Sequence, residues 1–310
     1  MNALSLIPPL LFAVACSPSD NATDSGALRP DDTAVANLEA QTFEDLPYAA
    51  LSSAQALDLS IPAGSGPFPV VVLIHGGGFF TGDKAAMASS AAFLVSRDIA
   101  AASINYRLSG EATFPAAVED AKAAVRFLRA NADLYRLDTN RIGSWGESAG
   151  ANLAAMLGTS SGDAFVEGAE LGNATLSSKV TATVAMFAPV DFLTIDEQSA
   201  ALGFTTNTDA KNSFESQYMG FPVQSDPEVT ALANPTTYID ADDAAFLVQA
   251  GDVDPLIPYT QSQNFADALR ASLGEDGVTF DLFEGAGHGG PAFESDENRS
   301  AIATFFETNL

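Results

Sequence analysis

Gly146-Glu147-Ser148-Ala149-Gly150 sets a serine between two glycines. It follows the short apolar run Arg141 to Trp145 and precedes a helix-like pattern, Ala151 to Leu157. A G-x-S-x-G segment between a strand and a helix turns so tightly that the serine hydroxyl stands at its tip. That hydroxyl is a weak nucleophile until a base takes its proton. The chain has two histidines, His75 and His288. His75 opens His75-Gly76-Gly77-Gly78, directly after Val70-Val71-Val72-Leu73-Ile74. Successive glycines allow close backbone approach and leave amide N–H groups free to hold a developing oxyanion. Gly77, Gly78 and Ala149 are the expected donors. His288, in the glycine-flanked loop Gly285 to Gly290, is then the base by elimination and by position. The acid that orients it comes between serine and histidine in this chain order. Asp252 and Asp254 both follow the run Phe246 to Ala250. Asp254 is favoured because the turn carries it further over the sheet edge, and Pro255 helps to hold the loop. Asp242 and Asp243 precede that run, at its wrong end.

These residues need a scaffold that brings them together. Val70 to Ile74 is a continuous β-branched and aliphatic run, suited to a central strand buried on both faces. Ile99 to Ile104, Thr181 to Phe187, Phe246 to Gln249 and Val278 to Phe283 are further strand candidates. Between them lie helical patterns. In the clearest, Pro115 to about Ala132, Val118, Ala121, Val125 and Leu128 share one face. Pro115 suits the first turn, and Arg126 and Arg129 complement the dipole at the far end. Gln261 to Leu273, ended by Gly274, and Ser300 to Thr308 read as two more helices. Strand–helix alternation implies an α/β fold, a mostly parallel central sheet with helices on both faces. Ligands in such sheets sit beyond the carboxyl ends of the strands. The chemistry-bearing residues fall just after the strand-like runs.

Composition narrows the function further. The 310 residues are 47% apolar and 9% aromatic, enough for a large core. No apolar run reaches the ~18 residues of a membrane-spanning helix. Thirteen Lys+Arg against 40 Asp+Glu give a net charge of −27, which argues strongly against nucleic-acid binding. Two histidines in separate loops leave no clustered metal-ligand set. The sole cysteine, Cys16, can form no intrachain disulfide.

The motifs His75-Gly76-Gly77-Gly78-Phe79, Tyr106-Arg107-Leu108, Phe114-Pro115-Ala116, Asp120, Gly146 to Gly150, Asp254-Pro255-Leu256 and Gly287-His288 resemble the α/β-hydrolase fold. Within it they are similar to the hormone-sensitive-lipase-like and feruloyl-esterase-like carboxylesterases, over roughly residues 40 to 310. The resemblance implies a serine carboxylesterase with triad Ser148–Asp254–His288 and no cofactor. It also supports Asp254, the Asp of the family's Asp-Pro-Leu motif. An amidase or formamidase on the same fold, and a non-catalytic binding lipoprotein, are the alternatives.

Outside the motifs, residues 190–240 have low strand content and read as a lid-like insertion within a catalytic domain spanning 39–310. Phe79, Trp145 and Phe192 are candidate pocket residues. No basic cluster is evident to grip a charged substrate, so a neutral ester is expected. At the N-terminus, Leu4 to Ala15 is apolar and ends in Ala13-Val14-Ala15-Cys16. This resembles a bacterial lipoprotein signal over 1–15, with Cys16 lipidated; an ordinary cleaved secretory signal is the alternative. Residues 16–38 are polar and small, and read as a flexible linker. The chain is therefore expected to be exported and anchored to a bacterial membrane through Cys16.

Overall fold

The computed structural model describes residues 38–310. Cys16, the signal and nearly all of the linker lie outside the described residues. Among the described residues, eight strands form one sheet: β1 (Gln41–Pro47), β2 (Ala56–Ile61), β3 (Phe68–Ile74), β4 (Ala100–Ile104), β5 (Leu137–Glu147), β6 (Ala182–Met186), β7 (Ala245–Gly251) and β8 (Val278–Phe283). Their order is β1-β2-β4-β3-β5-β6-β7-β8. β2 runs antiparallel to both neighbours, and the remaining pairs are parallel. The helices are α1 (Ala88–Val95), α2 (Ala116–Ala130), α3 (Ala132–Tyr135), α4 (Ala149–Thr159), α5 (Ile195–Ala201), α6 (Phe214–Met219), α7 (Pro227–Ala231), α8 (Tyr259–Leu273), α9 (Pro291–Glu294) and α10 (Asp296–Asn309).

Alternation along β3 divides the interior in two. Val70, Val72 and Ile74 enter one core with Val118, Ala121, Val125 and Leu128 of α2, Leu153 of α4 and Phe265 of α8. Val71 and Leu73 enter the other with Leu94 of α1 and Ile302 and Phe306 of α10. A strand buried on both faces cannot alternate polar with apolar, which is why Val70 to Ile74 reads as an unbroken apolar run.

Three details depart from expectation. β1 and β2 were not among the strand candidates. β1 is an exposed edge with no apolar pattern, while Leu57, Leu59 and Ile61 of β2 are buried at every second position. Pro115 caps α2 rather than entering its first turn. Arg126 does more than complement the dipole. It is fully buried, donating to the carbonyls of Glu167, Gly168 and Gly172 and to the Glu167 carboxylate.

The turn after β4 is held by a buried ion pair. Asp120, on α2, accepts Arg107 N (2.8 Å), Arg107 Nη2 (2.8 Å) and Gln55 Nε2 (2.7 Å). This carboxylate ties β4, the segment before β2 and α2 into one corner. Removing one member of such a pair strands the other, at a cost of about 3–5 kcal/mol. Asp120→Ala should therefore lower unfolding free energy by about that amount in urea titrations. A shift under about 1 kcal/mol would show that Arg107 is satisfied by its remaining partners, the Glu119 carboxylate (3.3 Å) and the Ala116 carbonyl (3.2 Å).

Candidate active site

Ser148 lies on the turn between β5 and α4 with φ 53° and ψ −122°, left-handed backbone on a residue with a side chain. Such a conformation costs on the order of 1–3 kcal/mol and persists only where the surroundings impose it. Here they do. A Cβ on Gly146 would meet the Gly150 carbonyl oxygen at 2.0 Å, and one on Gly150 would meet the Ile74 carbonyl oxygen at 2.2 Å. The helix thus starts hard against the end of β3, and the chain between must bend sharply. Ser148 N donates to Met186 O at 3.0 Å, so the turn is stitched to β6 as well.

The structure brings Ser148, His288 and Asp254 together. His288 Nε2 is 2.8 Å from Ser148 Oγ, and His288 Nδ1 is 2.7 Å from Asp254 Oδ2. The other oxygen, Asp254 Oδ1, accepts the amides of Leu256 (2.8 Å) and Ile257 (3.1 Å). Those amides aim the carboxylate, and Asp254 is buried. Asp252, the alternative acid, instead accepts Gly285 N at 2.6 Å and ties the β7 turn to the loop that carries His288. Gly251 is packed between the same loops; a Cβ there would meet the Ala286 carbonyl oxygen at 2.2 Å. The Phe187 ring meets the imidazole edge-on, 4.8 Å between centroids.

His75 sits elsewhere. It is buried and stacked on Tyr106 at 4.5 Å, with Nδ1 2.7 Å from Gly76 O. Burial lowers its pKa below the ordinary histidine value. Tyr106 Oη donates to His75 O at 3.0 Å and steadies the start of the glycine loop. Gly77 and Gly78 have φ of 117° and 62°, and Gly77 O accepts the amides of Phe80 and Thr81. A Cβ on Gly77 would meet Thr81 O at 2.0 Å. The loop therefore closes on itself and leaves Gly77, Gly78 and Ala149 along the wall of a cavity of about 670 Å³ that also exposes Ser148 and His288. Among the described residues, no turn or cap hydrogen bond engages those three amides.

Of the candidate pocket residues, Phe79 lines this cavity. Phe192 and Trp145 do not. Phe192 is fully buried, 6.0 Å from the Phe79 ring and 6.1 Å from the Tyr218 ring. Trp145 points into the core on α10's side of the sheet, 6.5 Å from Phe306, and gives its Nε1–H to Met186 Sδ. Both are large apolar rings near the catalytic loops, and the sheet needs them as packing.

The cavity wall also holds residues that motif reading did not single out. The segment between β6 and β7 contributes Thr205, Thr206, Asn207, Thr208, Asn212, Ser213, Phe214 and Glu215. Phe214 lies directly over Gly78, where an added Cβ would strike its ring at 2.5 Å. Two acidic residues line the space, Glu147 and Glu215, and no Lys or Arg does. Burial raises the pKa of each above the ordinary glutamate value; Glu294 adds to this at Glu147, and His288 opposes it. No local pattern marks the polar residues, since a helix N-terminus and a turn use the same types for capping. Among the described residues, no group of three His, Cys, Asp or Glu side chains could hold a metal ion.

Known proteins resemble this chain in sequence and fold. Esterase LipC of Mycobacterium tuberculosis is 28% identical over 226 residues, 72% of this chain and 53% of LipC. The chain thus spans about half the length of the curated relatives it matches. Among solved structures, the bifunctional GH43-CE protein of Bacteroides eggerthii superposes with a TM-score of 0.77 at 34% identity, over 87% of this chain and 38% of that one. A truncated carbohydrate esterase from the gut microbiota gives 0.78 at 28% identity, over 88% and 98%. Residues 57–269, well over half of the chain, match the BD-FAE family. The chain belongs to the BD-FAE family and has the α/β-hydrolase fold.

Proposed function

We propose that this protein is a serine carboxylic ester hydrolase acting on neutral, short-chain or aromatic and sugar-linked esters through an acyl-enzyme. The observation that carries this reading is the continuous relay Asp254–His288–Ser148, at 2.7 and 2.8 Å, opening into a cavity beside three amides. Ser148 Oγ attacks the ester carbonyl while His288 Nε2 takes its proton. The amides of Gly77, Gly78 and Ala149 hold the oxyanion. His288 returns the proton to the leaving alcohol, and water then releases the acyl group by the reverse sequence. Asp254 keeps the Nδ1–H tautomer and stabilises the imidazolium. Every proton and bond in this sequence is handled by these groups and water. The kinship with a carbohydrate esterase supports sugar-linked esters, and the lack of a cation in the wall supports neutral ones.

Ser148→Ala should abolish p-nitrophenyl acetate hydrolysis and fluorophosphonate labelling while the circular dichroism spectrum is unchanged. Retained turnover in a clean preparation would overturn the assignment. Asp254→Asn should lower kcat by about 10⁴-fold, because the wrong tautomer is then favoured. A matched ester and amide panel should show turnover confined to the esters; faster amide cleavage would make the protein an amidase.

We also propose that Cys16 becomes the lipidated first residue of the mature chain, so that the catalytic domain is held at a membrane surface. Leu4 to Ala15 and the small residues before the chain's sole cysteine support this. Radiolabelled palmitate should enter the full chain and be lost in Cys16→Ser. An unlabelled parent chain refutes the anchor.

A further inference from the structure

The segment from His75 to Gly82 is a wall shared by two cavities. On one side Gly76, Gly77, Gly78 and Thr81 line the space that holds Ser148. On the other, His75, Phe80 and Gly82 line a second cavity of about 350 Å³, together with Tyr106, Leu108 and Glu111. Its walls are fixed in place. The His75 ring stacks on Tyr106 at 4.5 Å, and a Cβ on Gly82 would meet the imidazole Nδ1 at 2.3 Å. Ser109 gives its amide (2.8 Å) and its hydroxyl (2.9 Å) to Phe79 O, which ties the strip after β4 to the glycine loop.

Two aromatic rings join the cavities. Phe80 is 47% exposed, and Phe214, on the catalytic cavity's wall, is 50% exposed. Their centroids are 6.5 Å apart. Phe79, by contrast, is buried. Half-exposed rings side by side at a cavity mouth keep apolar surface in water, and a ligand that covers them recovers its burial free energy. The ridge links the cavity of Ser148 to the one that Glu111 lines, and Glu111 is itself exposed. A pyranose has the matching chemistry. Its C–H groups meet the negative face of an aromatic ring, and its hydroxyls donate to a carboxylate. A plain aryl ring would cover the phenyl groups and leave the carboxylate unused.

We propose that Phe80, Phe214 and Glu111 form a sugar subsite beyond the glycine loop, which holds the carbohydrate alcohol of an ester whose carbonyl lies at Ser148. This rests on the esterase reading and names where the leaving group is held. The sugar that bears the ester lies against Phe214, and its neighbour along the chain reaches Phe80 and the second cavity.

The test uses acetylated xylotriose, p-nitrophenyl acetate and unesterified xylotriose. Phe80→Ala removes one ring of the ridge, and Glu111→Ala removes the carboxylate. Gly110→Trp fills the second cavity, because a Cβ at Gly110 meets nothing within 4 Å. In each variant the ratio of kcat/KM for acetylated xylotriose over p-nitrophenyl acetate should fall about five-fold, the worth of one stacked ring or one hydrogen bond. Saturation-transfer NMR should show xylotriose bound to the parent chain and its signal lost in Gly110→Trp. Unchanged ratios in all three variants would overturn the subsite. So would a fall in Phe80→Ala for methyl ferulate over methyl acetate with the xylotriose ratio unmoved, which assigns the ridge to an aryl acyl group. If the parent cleaves p-nitrophenyl acetate and the ratios do not move, the esterase reading stands and only the subsite falls. A parent that cleaves no ester, yet binds xylotriose and loses it in Gly110→Trp, sinks the esterase reading and keeps the sugar contact.

Discussion

The contact between the start of α4 and the end of β3 governs the site. Backbone meets backbone there, with Gly150 against the carbonyls of Ile74 and His75 and no space for a methyl group on either glycine of the turn. That approach forces Ser148 into a conformation few side-chain-bearing residues adopt, and packing on both faces of the sheet supports the strain. It also brings the serine alongside the loop that begins at His75, since β3 and β5 are paired neighbours. The proposed nucleophile and oxyanion donors are thus consequences of one crossing.

The remaining partners arrive from the other side of β5. β6, β7 and β8 continue the parallel sheet, so their carboxyl ends lie along the same edge as those of β3 and β5. Two carboxylates divide the labour after β7. Asp252 shapes the loop by taking the Gly285 amide, and Asp254 addresses the imidazole. Each has a different backbone donor set, and this separates two aspartates only two residues apart. A similar division holds for the histidines. His75 is buried and stacked beneath the glycine loop, while His288 stays partly exposed at the cavity.

Charge at the site runs against charge recognition in the usual sense. The chain carries −27 overall, and the cavity wall repeats that sign with Glu147 and Glu215. The ester hydrolysis proposed for this site releases a carboxylate as product, and a wall of like sign works against its retention.

Most of the fold and the central chemistry were legible in the residues. Glycine at 146 and 150, a run of buried aliphatics at 70–74, and the chain order serine, aspartate, histidine are local facts, each with a steric or chemical requirement behind it. Hydrophobic alternation also marks β2, whereas the exposed edge β1 has no apolar face to announce it. What only the tertiary structure decided is which side chain faces which space. Asp254 differs from Asp252 through the amides each one meets. Trp145 and Phe192 serve as packing because the interior on each face of the sheet had to be filled, Trp145 on one and Phe192 on the other, and Arg126 is buried because carbonyls 41 to 46 residues away close over it. Thr208 and Glu215 came into view only with the cavity. The amino-acid order specifies what each group can do, but its direction and surroundings arise from distant segments that no local pattern encodes.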